Sequence, residues 1–267
     1  MKRVCMLLLS AVLALSTAAG LCETLPAWEF PVSPEVIVNK AGYITLTNDD
    51  ELLASDYEPG DLVKLTVKRT VQDAQMRKEA AQALTDMFDA AREDGYTLYV
   101  KSAYRSYKTQ KTMYYNRLEK MGYDDDLVSY PGASDHQTGL GVDVLNYAWT
   151  QKSGMNERFG ETQEAQWMAE HCHEFGFIIR YLSDKEDITH IKYEPWHLRY
   201  VGKEAAAYIH ANGLCLEEFT AQWRAYLEEY EQKGGDFQAL IAERALPNEA
   251  IVLDVGDDGE EDFSTFY

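Results

Sequence analysis

The chain has 267 residues, 46% of them hydrophobic and 26% charged, enough for one large domain with its own core plus tails. Its formal charge of −20 comes without any basic stripe. That excludes nucleic acid and an anionic membrane surface as partners, and favours a small or cationic substrate or no electrostatic partner.

The N-terminus carries Lys2 and Arg3, then an apolar run from Val4 to Leu15, then small residues from Ser16 to Gly20. This is the layout of a signal peptide over residues 1–20, too short for a comfortable membrane span. It predicts an exported, extracytoplasmic protein, secreted or associated with the cell envelope, which meets the membrane only if that segment stays uncleaved. Cys22 raises a lipoprotein alternative, but Leu21 is bulky where such sites want a small residue. Export permits disulfides. Cys22, Cys172 and Cys215 remain after cleavage, so at least one thiol is unpaired within the chain. Cys172 and Cys215 either pair or serve as two buried small hydrophobes.

Residues 21–35 hold three prolines and read as a linker. Residues 36–65 are irregular, with turn signals at Asn48-Asp49 and Pro59-Gly60. A helix is predicted over 73–93, where Met76, Ala80, Leu84, Met87, Phe88 and Ala91 recur at spacings of three and four, with Asp73 as cap and Gly95 as stop. A strand follows at 96–104, a helix at 108–122 and a turn-rich loop at 123–135. The run GVDVL reads as a short strand and 161–175 as a third helix ended by Gly176. Residues 175–182 and 189–196 read as two strands of a hairpin, and 203–213 as a fourth helix. Interspersed helices with hairpin-connected strands predict an α+β fold: a small, mainly antiparallel sheet with flanking helices. A domain over 36–215 would then be followed by a helical extension and an acidic, mobile tail over 216–267.

Two stretches carry chemistry. In SDHQTGLGVDV (134–144), His136 and Asp143 flank a glycine-rich turn. Spacing alone leaves two readings open: a loop histidine near a chance acidic residue, or two-thirds of a metal site. In YEPWHLR (193–199), Glu194 and His197 are three apart. Pro195 argues against a helix there. A regular strand would point the two side chains to opposite faces, so the chain must bend if both serve one site. Together, His136, Asp143 and His197 supply two imidazoles and a carboxylate, the donor set of a catalytic zinc site with one open position. Glu194 is then free as a base beside the attacking water.

These two segments, with SAYRSYKTQ (102–110), resemble the three signature segments of VanY-type D-alanyl-D-alanine carboxypeptidases, zinc peptidases of the Hedgehog/DD-peptidase fold. The resemblance spans about residues 36–213. It implies Zn²⁺ on His136, Asp143 and His197 with Glu194 as catalytic base, and it sends Arg105 into the cleft, where a guanidinium binds a terminal carboxylate or stabilises an oxyanion. Gln110 would hydrogen-bond the substrate backbone, and Ser134 and Trp196 would line the pocket. The implied substrates are peptidoglycan stem peptides ending in D-Ala. Three positions depart from the family's common pattern: Asp135 stands where Glu is frequent, Gly141 where Ala is frequent, and His190 where Gly is expected.

Simpler roles compete. On the residues alone, Arg105 fits an ion pair, Gln110 a solvated helix face, Ser134 a turn and Trp196 the core. The HCH run at 171–173 sits on a predicted helix, where consecutive side chains diverge, and is not read as a metal site. A C-terminal dipole contact suffices for His210. Rival functions are an L,D-carboxypeptidase, a D-Ala-D-Ala dipeptidase, and a zinc-stabilised module that binds wall peptides without cutting them.

Overall fold

A computed structural model describes residues 26–125 and 127–245. The proposed leader, Cys22 and the acidic tail beyond 245 lie outside the described residues. No helix among those described is long and apolar enough to cross a membrane.

In chain order the elements are α1 (Pro34–Ile37), β1 (Leu62–Lys64), β2 (Gln75–Arg77), α2 (Lys78–Glu93), β3 (Leu98–Ser102) and α3 (Tyr107–Met121). Then come β4 (Gly141–Asn146), α4 (Tyr147–Thr150), α5 (Gln163–His171), β5 (Phe177–Ile179), α6 (Glu186–Thr189) and β6 (His197–Tyr200). The chain closes with α7 (Lys203–Ala211), α8 (Leu216–Gln232) and α9 (Phe237–Ala245). The main sheet has the order β3-β4-β6-β5 with every neighbour antiparallel, and β1 and β2 form a separate antiparallel hairpin. The fold is α+β, as expected.

Two cores result. In the first, the apolar face of α2 (Ala80, Leu84, Met87, Ala91) lies against sheet residues Leu98, Val100, Val142, Val144 and Leu198. The second gathers α7, α8 and α9 around the N-terminal segment. Here the segment expected to be a linker is packed instead. Val32 is fully buried, and the Trp28 ring meets Tyr226, Tyr230 and Phe237 at 4.9–5.5 Å.

The helix expected from Asp73 begins only at Lys78. Residues 75–77 pair with 64–62 as a strand, and Asp73 binds Lys64 at 2.8 Å instead of capping. No glycine or proline interrupts the helical pattern at this switch, so only the pairing with β1 decides it. The second half of the expected hairpin is also displaced. β5 pairs with His197–Tyr200, not with 189–196. Residues 186–189 form α6, which ends on His190 at φ 57. That left-handed conformation explains why glycine would suit position 190; histidine is among the side chains that tolerate it. Cys172 and Cys215 are both buried and free, the second of the two readings for them.

Candidate metal centre and active site

Strand register places two of the proposed ligands. In the β4–β6 ladder Asp143 lies opposite His197, and in β3–β4 it lies opposite Ser102. Directly opposed residues project from one face, so the carboxylate and the imidazole meet. His136 comes from a 3-10 turn, Asp135–Thr138, immediately before β4. Gly139 ends that turn at φ 69, and a Cβ there would sit 2.9 Å from Leu62. Only glycine suits both the backbone angle and the space. Each of His136, Asp143 and His197 is buried, and one donor atom from each lies within 4.8 Å of the others.

Hydrogen bonds decide which ring nitrogen faces inward. His136 Nδ1 is 2.7 Å from the Ala103 carbonyl, an acceptor only, so the proton sits on Nδ1. Nε2 keeps its lone pair and lies 3.4 Å from Asp143 Oδ2. His197 turns Nδ1 toward Asp143 Oδ1 at 3.0 Å. Its Nε2 is buried without a hydrogen-bond partner and faces Asp135 Oδ2 at 3.9 Å. A cation held by Nδ1 would leave the proton of His197 on Nε2, directed at a carboxylate, the arrangement that orients metal-bound histidines. Two imidazoles and one carboxylate, buried and convergent, fit a borderline divalent cation such as zinc.

The bend required for Glu194 is a single turn: the His197 amide donates to the Glu194 carbonyl at 3.0 Å, and the Glu194 amide donates to Tyr181 O at 3.1 Å. Pro195 sits inside this turn, where its missing N–H costs no ladder bond. Glu194 Oε2 thereby comes within 3.8 Å of His197 Nδ1, with 13% of its side chain still exposed. Burial pushes its carboxyl up to about 8, against the pull of His197 and Arg105. Burial also opposes ionisation of Asp143, but His136 and His197 hold it well below the usual carboxylate range. Burial, then Arg105, lowers His136. For His197, burial is outweighed by the hydrogen bond and charge of Asp143, and its pKa rises.

Arg105 reaches the same space. Its amide donates to the His136 carbonyl at 3.1 Å, which ties the start of α3 to the ligand turn. Its guanidinium is close enough for the charges of Asp143 and Glu194 to offset part of the burial that lowers its pKa. Gln110 is buried in α3. Its amide is committed at both ends, accepting from Arg105 Nη1 at 2.7 Å and donating to Ser129 O at 2.7 Å. It aims the guanidinium, together with Ser102 Oγ at 3.1 Å. Ser134 is buried and precedes the ligand turn. Trp196 lies in the main core, 4% exposed, rather than lining a pocket.

Sequence reasoning missed what lies behind the ligands. Arg180 and Arg199 are fully buried and both bind Asp135. Each interrupts an apolar run, FGFIIRYL and HLRY, and a charge inside a buried strand was the available signal.

An α+β domain with a buried His–Asp–His centre and a carboxylate beside it has the layout of a metallopeptidase. Residues 73–203 match the family model for VanY, D-alanyl-D-alanine carboxypeptidase, and the chain belongs to that family. YodJ of Bacillus subtilis is 44% identical over 193 residues, 69% of each chain. A D-alanyl-D-alanine carboxypeptidase of Enterococcus faecalis is 40% identical over 147 residues, 51% of this chain and 52% of the relative. Among solved structures, the LdcB LD-carboxypeptidase is 44% identical at a TM-score of 0.62, covering 66% of this chain and 84% of that one. A vancomycin-resistance D,D-pentapeptidase VanY in complex with Zn(II) is 32% identical at a TM-score of 0.55, covering 67% and 98%.

Proposed function

We propose that the protein is an exported zinc carboxypeptidase that removes the terminal D-alanine from peptidoglycan stem peptides. The observation that carries this reading is the convergence of His136, Asp143 and His197 beside Glu194, which the three ligands leave free. The relative in complex with Zn(II) supports the choice of metal. Zinc bound there would supply Lewis acidity to the scissile carbonyl and acidify the attacking water. Glu194, whose ionised form the zinc charge beside it would favour, accepts the proton of that water and returns it to the departing amine. Arg105, held by Gln110 and Ser102, fixes the substrate's terminal carboxylate or the developing oxyanion.

Two substrate classes are in play. The D-alanyl-D-alanine carboxypeptidase of Enterococcus faecalis favours D,D cleavage, while LdcB, at 44% identity, is an LD-carboxypeptidase. Mass spectrometry of products from a D-Ala-D-Ala pentapeptide and from a tetrapeptide ending in one D-Ala separates them. Loss of one alanine from the first but not the second supports the D,D reading. Glu194→Gln should keep zinc and lower turnover by roughly 10²–10⁴. Near-normal hydrolysis by that variant would show that Glu194 is not the base.

A further inference from the structure

Behind the metal ligands lies a closed charge network. Asp135, the residue before His136, accepts from Arg180 Nε at 2.8 Å and Thr47 Oγ1 at 2.8 Å, and is bound by Arg199. Arg199 stands two residues after His197 on β6 and also donates to the carbonyls of Thr45 and Tyr43 at 2.6 and 3.1 Å. The amide of Arg180 donates to the His197 carbonyl at 3.1 Å. Every member is thus one peptide bond or one hydrogen bond from a ligand's immediate surroundings.

Asp135 alone cannot balance two guanidinium groups. The second carboxylate is Glu217, in the first turn of α8. It accepts from Arg180 Nη1 at 2.8 Å and Nη2 at 2.6 Å, a bidentate pair with side chains 1% and 10% exposed. The capping box of α8 fixes this turn, with Glu218 accepting from the Cys215 amide at 2.9 Å and from Lys185 at 3.0 Å. Leu216 and Phe219 on either side are fully buried. Glu217 lies beyond residues 73–203, the span of the family match.

We propose that Glu217 is a positioning residue for the metal centre: by neutralising Arg180 it holds Asp135, and with it the His136 turn, in place. The proposal rests on the zinc reading above. Without Glu217, two arginines face one carboxylate, and the surplus positive charge lies behind a cation site. The Arg180 side chain is then left with Asp135 and, at 3.4 Å, the carbonyl of Thr47, whose hydroxyl also binds Asp135. The extension α8 is on this view part of the site, not an appendage.

The test compares zinc affinity by chelator competition in the full chain. Glu217→Gln should weaken zinc by about 10- to 100-fold, the range for groups that orient ligands from behind. Glu228→Gln, exposed on the same helix, should leave it unchanged. The double variant Arg180→Met/Glu217→Met restores neutrality, with Arg199 facing Asp135, and should bind zinc more tightly than Glu217→Gln. A role limited to anchoring α8 would make the double variant as weak as the single one. Unchanged zinc affinity in Glu217→Gln, or a double variant no tighter than the single, overturns the proposal. If Glu217→Gln does not fold, a double variant within threefold of the wild type supports it and a weaker one overturns it. A wild-type chain that binds no zinc overturns the functional reading and this inference with it.

Discussion

Asp135 and Asp143 are eight residues apart in sequence, both buried, and both held ionised against the cost of burial. They differ in their partners. Asp135 faces two guanidinium groups and a hydroxyl, donors that occupy its oxygens, with His197 Nε2 beyond them at 3.9 Å. Asp143 faces two imidazoles, which are cationic only when protonated and otherwise offer lone pairs. A carboxylate saturated by arginine is a fixed strut. One surrounded by imidazoles is a place for a cation.

The sharpest test of this contrast exchanges each carboxylate for its amide. Asp143→Asn should abolish the rise in melting temperature on adding zinc, together with turnover. Asp135→Asn leaves two buried arginines under-compensated and should cost about 3–5 kcal/mol in denaturant unfolding while the three ligands remain. If Asp135→Asn left stability intact, the strut would be decorative.

A second test uses pH in metal-free protein. Burial disfavours the charge of Glu194 and pushes its carboxyl up from about 4.5 to about 8 in the fold. The folded chain therefore holds a proton that the unfolded chain releases. Its contribution to stability is present below about 4.5 and is lost as pH rises to about 8. In thermal melts with chelator, wild type should lose stability relative to Glu194→Gln between pH 5 and 8; parallel profiles would refute this.

The smallest expected effect sits between the two carboxylates. A Cβ on Gly141 would lie 2.9–3.0 Å from the carbonyl carbon and Cβ of Asp135 and 3.0 Å from the His136 amide. Gly141→Ala should cost about 1–3 kcal/mol by overpacking, read as a lowered midpoint in urea. A neutral result would show that the ligand turn shifts freely.

Local pattern made much of this legible. The apolar spacing of α2, the glycine stop of α3 at Gly122 (φ 79) and that of the helix before Gly176 (φ 87) express preferences of the residues themselves. The candidate donor set was legible because few side chains bind zinc, and His136, Asp143 and His197 stand in a recognisable order with Glu194. The roles of Gln110 and Trp196 were not. An amide or an indole has the same identity whether it meets a substrate, an arginine or a core.

Sequence by itself determined the α+β class, most helices and the donor residues of the candidate centre, since propensity, periodicity and side-chain chemistry are local. Tertiary structure alone decided the strand at 75–77, the partner of β5, the turn that swings Glu194 beside His197, and the pairing of Arg180 with Glu217. Each of these depends on which distant backbone supplies a ladder partner or which distant charge offsets burial, and neither is written in the neighbouring residues.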